Sequence, residues 1–463
     1  MDIPIIIICY NNYKYVENTL SQLLRINKEY YKNIQILNNN STCLDTIRFL
    51  KGVDVNVIHN SENRGPWITY YNNTHIYDTL PNKFIVMDPD LKLNEHLPSN
   101  FIEILSDICD TYRTSKVGFA LDISDSEKMY TSNYADDKPI YGWEKQFWDN
   151  KIDDANYELY NSIIDTTFCL IDKNNTSIRD YQIRVAGNFT AKHLPWYREN
   201  DVYNAYENYS NSINTDGAIS TNAKMIKSYT EDKYLKIQKN DELFLIEKNE
   251  GNPNIPFWKD IYSQWERETF EVFDRCLSKD KIFIDIGGWI GTTAMYGSRK
   301  SKHVYSVEAD NKSFRDMSAN LKTNCINNYT LVNKAIFNKD DVEIKFGKNI
   351  HIEDSKMNDS TSQIYSDDTV TSEYYITKTI TIGSLIEAYK INVSEISLIK
   401  VDIEGGEENI LDDLFDIHVK YGISLYVSFH HSWWKDKNLD RFAFLSAGVK
   451  NEILAYPFTS IFF

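Results

Sequence analysis

Glycine and proline are scarce in this 463-residue chain, at 17 and 10, beside abundant Asn, Lys, Ile and Tyr. That bias points to an AT-rich coding sequence more than to a special architecture, so runs of Asn and Lys carry little weight. Cysteine is sparse too. The six (Cys9, Cys43, Cys109, Cys169, Cys276 and Cys325) are scattered, with no C-x-x-C pair, which excludes a disulfide framework or a cysteine-based zinc site. Cys9 and Cys169 lie in apolar runs, where a thiol behaves as a small hydrophobe. A reducing compartment, the cytoplasm, is expected. Long apolar runs are lacking: PIIIIC near the start is too short for a signal peptide's core and lacks a basic beginning, so it reads as a first buried strand. No later stretch is long and apolar enough to span a bilayer, and the N-x-S/T matches are then incidental. Positive charge is in deficit, with a formal net charge of -17, which argues against a nucleic-acid binder or a partner of anionic membranes. What remains is a folded chain of ordinary composition, long enough for about two domains on a prior of roughly 100–200 residues each.

The residues present divide into two α/β halves. In the first, IPIIIICY, NIQILNNNST and VNVIHNSENRG read as strands with polar ends, separated by the amphipathic VENTLSQLLRIN and by TIRFLKG. This alternation predicts a doubly wound, parallel sheet. FIVMDPDL is a further strand of it. Between residues 236 and 260, charge mixes with Asn, Gly and Pro, and the expected organisation is a domain over 1–238, a connector over 239–262 and a domain over 263–463. FLIE and PFW in the connector are apolar enough to pack. The second half again alternates: helix WERETFEVFDRCL, strand KIFIDI, a glycine turn, strand HVYSVEAD, helix SFRDMSANLKTN, strand YTLVNKAI, helix IGSLIEAYKI and strands SLIKVD and SLYVSFHH.

Two stretches carry chemistry. In MDPDL, Asp88 and Asp90 follow a buried strand at the carboxyl end of the sheet, where open α/β sheets bind ligands. Such a D-P-D run can be a simple turn. Two carboxylates at this spacing can also share a divalent cation whose other ligands are diphosphate oxygens. In IDIGGWIG, Asp285, Gly287, Gly288 and Gly291 follow a strand and precede a helix, and Glu308 ends the next strand, where an acid can accept both ribose hydroxyls. A dinucleotide fingerprint is G-x-G-x-x-G. Here an acid stands where it would repel phosphate, which disfavours a nicotinamide-linked oxidoreductase and suits a cationic ligand such as S-adenosylmethionine.

From about residue 264 onward the chain resembles the FkbM-type methyltransferases, on FIDIGGWIGTTA, VYSVEAD, NLKTN with VNKAI, and above all SLIKVDIEGGEENIL, which matches the family's K-x-D-x-E-G motif. The resemblance implies a Rossmann-like class I methyltransferase domain that O-methylates sugars or related hydroxyls with S-adenosylmethionine. It assigns the cofactor to Asp285, Gly287, Gly291 and Glu308, with Asn333 beside the adenine. Asp402 and Glu404, after a strand on the same sheet edge, face the acceptor hydroxyl or hold a cation that polarises it. His430 or His431 serves as base, and only one of an adjacent pair on a strand can face the site.

Residues 1–235 resemble a GT-A type nucleotide-sugar glycosyltransferase, on IIIICYNN, IQILNNNST, HNSENRGPW, MDPDL, YGWEKQFW, DTTF and RVAGNFTAKHLPWY. The resemblance implies that Asp88 and Asp90 bind Mn2+ or Mg2+, completed by His193. Asp88 also faces the UDP- or GDP-linked sugar, and Asn11, Asn38, Asn40 and Arg64 contact that donor. Glu144 is expected as the base of an inverting transfer, because aromatic neighbours stack on a sugar ring and raise a carboxylate's pKa, with Asp165 as the alternative. A single Glu stands where relatives carry an acidic pair. The expected whole is a bifunctional enzyme of glycan synthesis acting on a glycan, glycolipid or glycoprotein. Its two active sites, if closely tethered, share intermediate at about millimolar effective concentration. The alternative is a sugar O-methyltransferase whose first half is an inactive carbohydrate-binding module.

Overall fold

In a computed structural model of the chain, the residues described are 3–165, 167–175, 181–213, 221–249, 251–349, 352, 359–365, 374–434, 436–447, 452–455 and 459–463. They form two compact units, Met1–Asp232 and Lys233–Phe463.

The first unit is built on a nine-stranded sheet. Strands Asn56–His59, Ile34–Asn38, Ile5–Cys9 and Lys83–Met87 lie side by side in that order, all parallel. Sheet continuation departs from the expected all-parallel pattern. Phe168–Asp172 inserts antiparallel between Lys83–Met87 and Lys116–Phe119, and Ile183–Val185, Leu159–Asn161 and Lys151–Ile152 complete a mixed sheet. Ile5–Cys9 is wholly buried, which is why it reads as a continuous apolar run without alternation. Helix Tyr13–Ile26 covers one face through Val16, Leu20 and Leu23, spaced to share one stripe.

The second unit carries a seven-stranded sheet. Tyr329–Val332, His303–Val307, Ile282–Ile286, Ile396–Val401 and Ser424–Phe429 are parallel, and Thr459–Phe462 and Glu452–Ala455 close it antiparallel. The stretch expected to connect the domains is folded. Tyr234–Lys239 and Glu242–Glu247 pair as a hairpin, and Ile237, Phe244 and Ile246 share a core with Trp258, Tyr262 and Phe270. Lys239 is buried, and its ammonium donates to the Tyr262 carbonyl at 3.2 Å. Among the described residues no helix is long and apolar enough to cross a membrane.

Candidate active sites

In the second unit the strand ends and the glycine turn build one wall of a cavity of about 370 Å³. Gly287 has φ +80, and a Cβ there would run into the Asp402 carbonyl oxygen, so only glycine lets the turn close against the neighbouring strand. Gly287, Glu308, Asp402, Glu404 and His430 all line this cavity; Asp285, Gly291 and Asn333 do not.

Asp285 is fully buried beneath the turn. Its Oδ2 accepts hydrogen bonds from Thr293 Oγ1 at 2.9 Å and Ser306 Oγ at 3.1 Å, and Lys400 Nζ stands 3.6 Å from Oδ1. The cation expected beside this acid is therefore supplied by the chain: Lys400 also donates to the Gly287 carbonyl at 2.8 Å, so the acid holds the turn through Lys400. Asn333 likewise works on the scaffold, donating to the Glu308 carbonyl at 2.9 Å. Gly291, at φ +92, begins helix Thr292–Lys300. Glu308 accepts N–H groups from Trp289 at 2.8 Å and Asp310 at 2.7 Å. Burial pushes its carboxyl up to about 7 in spite of those bonds.

Asp402 and Glu404 follow strand Ile396–Val401, and His430 follows the parallel neighbour Ser424–Phe429, so two adjacent strand ends bring them together. His430 Nε2 lies 3.4 Å from Glu404 Oε2 and 4.0 Å from Asp402 Oδ1. Burial opposes the imidazolium, but Glu407, Asp402 and Glu404 outweigh it and raise His430 to about 9. Burial, together with the Asp402 charge, pushes Glu404 to about 8. His431 packs against Phe429, Trp434 and Phe442, which leaves His430 as the histidine of the pair at the cavity.

Sequence reasoning missed three contributors. Glu407, fully buried, lies in the same GGEEN run but its partners are set by folding. Lys400 was visible in K-x-D-x-E-G without its role. Glu266, with φ +43, enters the cavity from the segment ahead of strand Ile282–Ile286, where no motif marks it. The cavity thus presents Glu266, Glu268, Glu308, Asp359, Asp402 and Glu404 against Lys334 and Lys400, with Trp265 and Trp289 among its walls. This acid-rich, aromatic lining fits a sulfonium-bearing cofactor and not a pyrophosphate.

In the first unit, antiparallel pairing of Leu91–Leu93 with Ala191–His193 sets His193 opposite Leu91 and so beside Asp90. His193 Nε2 is 3.4 Å from Asp90 Oδ2, while Asp90 Oδ1 and His193 Nδ1 are buried without hydrogen-bond partners. Burial disfavours the imidazolium, but the charges of Asp90, Asp88 and Asp165 raise His193 above its ordinary value. Such orphaned polar atoms suit coordination of a cation.

The other expectations meet a different neighbourhood. Glu144 is not an isolated carboxylate beside sugar-stacking rings. It is buried in an ion pair with Arg184, whose guanidinium lies 4.3 Å over Phe147. Burial nevertheless pushes its carboxyl up to about 7 against the pull of Arg184. Asp165 is exposed. Asn11 Oδ1 accepts the N–H groups of Thr42 and Cys43, both at 2.8 Å, and Asn38 bonds Ser41 and His59, so both amides are spent on joining loops. Asn40 is exposed at φ 64, and Arg64 pairs with Glu62 at 2.9 Å. A cavity of about 660 Å³ in this unit is lined by Trp67, Tyr70, Lys116, Cys169 and Gln182 and by neither Asp88 nor Asp90.

Comparison with known proteins bears on the second unit. Residues 285–449 match the family described as the methyltransferase FkbM domain. No curated protein matches the chain. Among solved structures, methyltransferase FkbM from Methylobacillus flagellatus aligns at 14% identity and TM-score 0.27, covering 40% of this chain and 43% of that one. The chain therefore matches less than half of that protein's length. An rRNA methylase from Streptococcus thermophilus aligns at 11% identity and TM-score 0.26, over 42% and 89% of the two chains. A mannosyltransferase from Pyrobaculum calidifontis, solved with GDP-Man and Mn2+, aligns at 10% identity and TM-score 0.28, over 49% and 68%. Overlays at these scores carry no functional information. Within a mixed α/β chain, residues 285–449 are an FkbM methyltransferase domain.

Proposed function

We propose that the second unit methylates a sugar hydroxyl with S-adenosylmethionine and that the first transfers a sugar from a UDP- or GDP-linked donor to a glycan acceptor. The observation that carries the first half of this reading is the single cavity on which Gly287, Glu308, Asp402, Glu404 and His430 converge. S-adenosylmethionine would supply an electrophilic methyl group on a sulfonium. Glu308 would accept ribose hydroxyls with lone pairs its two backbone bonds leave over. The surrounding carboxylates would favour a cationic cofactor, and Lys400, between Asp285 and the Gly287 carbonyl, holds the glycine turn that lines its cavity. On the acceptor side, Asp402, Glu404 and His430 are the groups available to hold the hydroxyl; His430, raised to about 9, would donate to its oxygen and a carboxylate would take its proton as the carbon–oxygen bond forms and the methyl–sulfur bond breaks.

For the first unit, Asp90 and His193, with Asp88, would hold Mn2+ or Mg2+, which would neutralise a departing nucleoside diphosphate. Asp165 is the better base, since Glu144 is pinned by Arg184. That same ion pair favours a second reading, in which the first unit binds carbohydrate or nucleotide-sugar without turnover. Donor hydrolysis across a panel of nucleotide-sugars, with Mn2+ or EDTA, separates the two. Turnover of one donor that needs metal and disappears in Asp90→Ala, with S-adenosylmethionine affinity unchanged, is expected. No turnover with any donor would assign the first unit a binding role. Six cysteines that form no disulfide accord with a cytoplasmic site of action.

A further inference from the structure

One arrangement exceeds what proton transfer requires. Asp402, Glu404 and His430 each turn one ligand atom toward a common point, all within 4.8 Å of one another, the only such group among the described residues. The backbone is shaped for it. Glu404 adopts φ 51 and Gly405 φ 92, which brings the chain round after Asp402 so that both carboxylates face His430 from the adjacent strand end.

A second observation concerns the imidazole's far side. Glu407, with no exposed surface, accepts from His430 Nδ1 at 3.2 Å and is itself fixed by the N–H groups of Ile403 at 3.2 Å and Gly405 at 3.1 Å. The Trp433 ring stacks on the imidazole at 4.9 Å and 9°. A carboxylate that holds Nδ1–H makes Nε2 the nitrogen that gives up its proton to a cation and turns it toward the cluster, the outer support usual for a metal-bound histidine. Charge points the same way. Three carboxylates surround one imidazole, the nearby ammonium of Lys400 is committed to Asp285 and the Gly287 carbonyl, and Asp402 Oδ1 is buried without a hydrogen bond.

We propose that Asp402, Glu404 and His430 Nε2 bind a divalent cation whose remaining coordination positions face the cavity and take two neighbouring oxygens of the acceptor. Two carboxylates and one imidazole suit a cation of the Mn2+ kind, and three protein ligands leave room for substrate. The substrate class follows: a sugar ring presenting vicinal hydroxyls, chelated so that one oxygen is aimed at the methyl group. This rests on the methyltransferase reading and gives the three residues the role of ligands in place of a base: the cation would acidify the bound hydroxyl, its proton would leave to water, and the carbon–oxygen bond would form as the methyl–sulfur bond breaks and S-adenosylhomocysteine departs.

Mn2+ binding to the full chain, read as loss of the free-ion electron paramagnetic resonance signal, tests it. Asp90→Ala serves as background to remove the other candidate Mn2+ position. One bound Mn2+ per chain is expected to remain, to vanish in His430→Ala, and to weaken about 10–100-fold in Glu407→Gln, which removes the support but no ligand. S-adenosylmethionine titration of each variant reports whether the unit is folded. If His430→Ala loses that binding, Glu407→Gln decides alone. A chain that binds S-adenosylmethionine but no Mn2+, or unchanged Mn2+ affinity in Glu407→Gln, overturns the proposal. Failure of the unsubstituted chain to bind S-adenosylmethionine strikes the methyltransferase reading instead.

Discussion

Glu144→Ala is expected to destabilise the first unit by about 3–5 kcal/mol, because it leaves the Arg184 guanidinium buried and uncompensated. Arg184 is held in place from two other sides, by the Ile163 carbonyl at 2.8 Å and by Phe147, so it cannot turn out to water to escape the loss. The double variant Glu144→Leu with Arg184→Met should recover most of that stability, since replacing both partners of a buried pair with apolar groups is often neutral. Urea unfolding of the single and double variants measures the difference. A single variant as stable as the parent would mean that the pair opens readily, and would restore Glu144 as a candidate base.

Gly287→Ala is expected to cost about 1–2 kcal/mol for a side chain at positive φ, with about 1–3 kcal/mol more for overlap with the Asp402 carbonyl. The effect reaches function because Asp402 N–H donates to the Ile286 carbonyl at 3.0 Å, so displacing the turn displaces the strand end that carries Asp402. S-adenosylmethionine affinity should fall with the stability of the second unit. Normal affinity in a normally stable Gly287→Ala chain would show that the turn does not set the site.

The sequence made some of this legible and not the rest, for reasons that lie in distance along the chain. The turn after Ile286, the acid at 308 and the K-x-D-x-E-G run are local patterns, each set by a strand end and the residues just beyond it. The alternation of apolar runs and amphipathic helices foretold α/β layering, because periodicity is local too. The antiparallel insertion of Phe168–Asp172 was invisible, since Phe168 and Met87 become partners only across the finished sheet. So was the meeting of Asp90 with His193, which depends on the pairing of Leu91–Leu93 with Ala191–His193. Glu144 looked solitary because its partner, Arg184, arrives on a strand from 40 residues away. The partners of Asn11 and Asn38 were not legible, because an amide's loop partners cannot be read from composition. Glu407 lay in plain view within GGEEN, but only folding makes it the support of His430.

Calorimetric titration of the full chain with S-adenosylmethionine, in the parent and in Glu308→Ala, tests the central claim most directly. One site per chain, weakened about 10–100-fold when the carboxyl at 308 that would accept both ribose hydroxyls is lost at a cost of about 1.5–3 kcal/mol, is the predicted result. A folded parent chain that binds no S-adenosylmethionine, or affinity indifferent to Glu308, would contradict it.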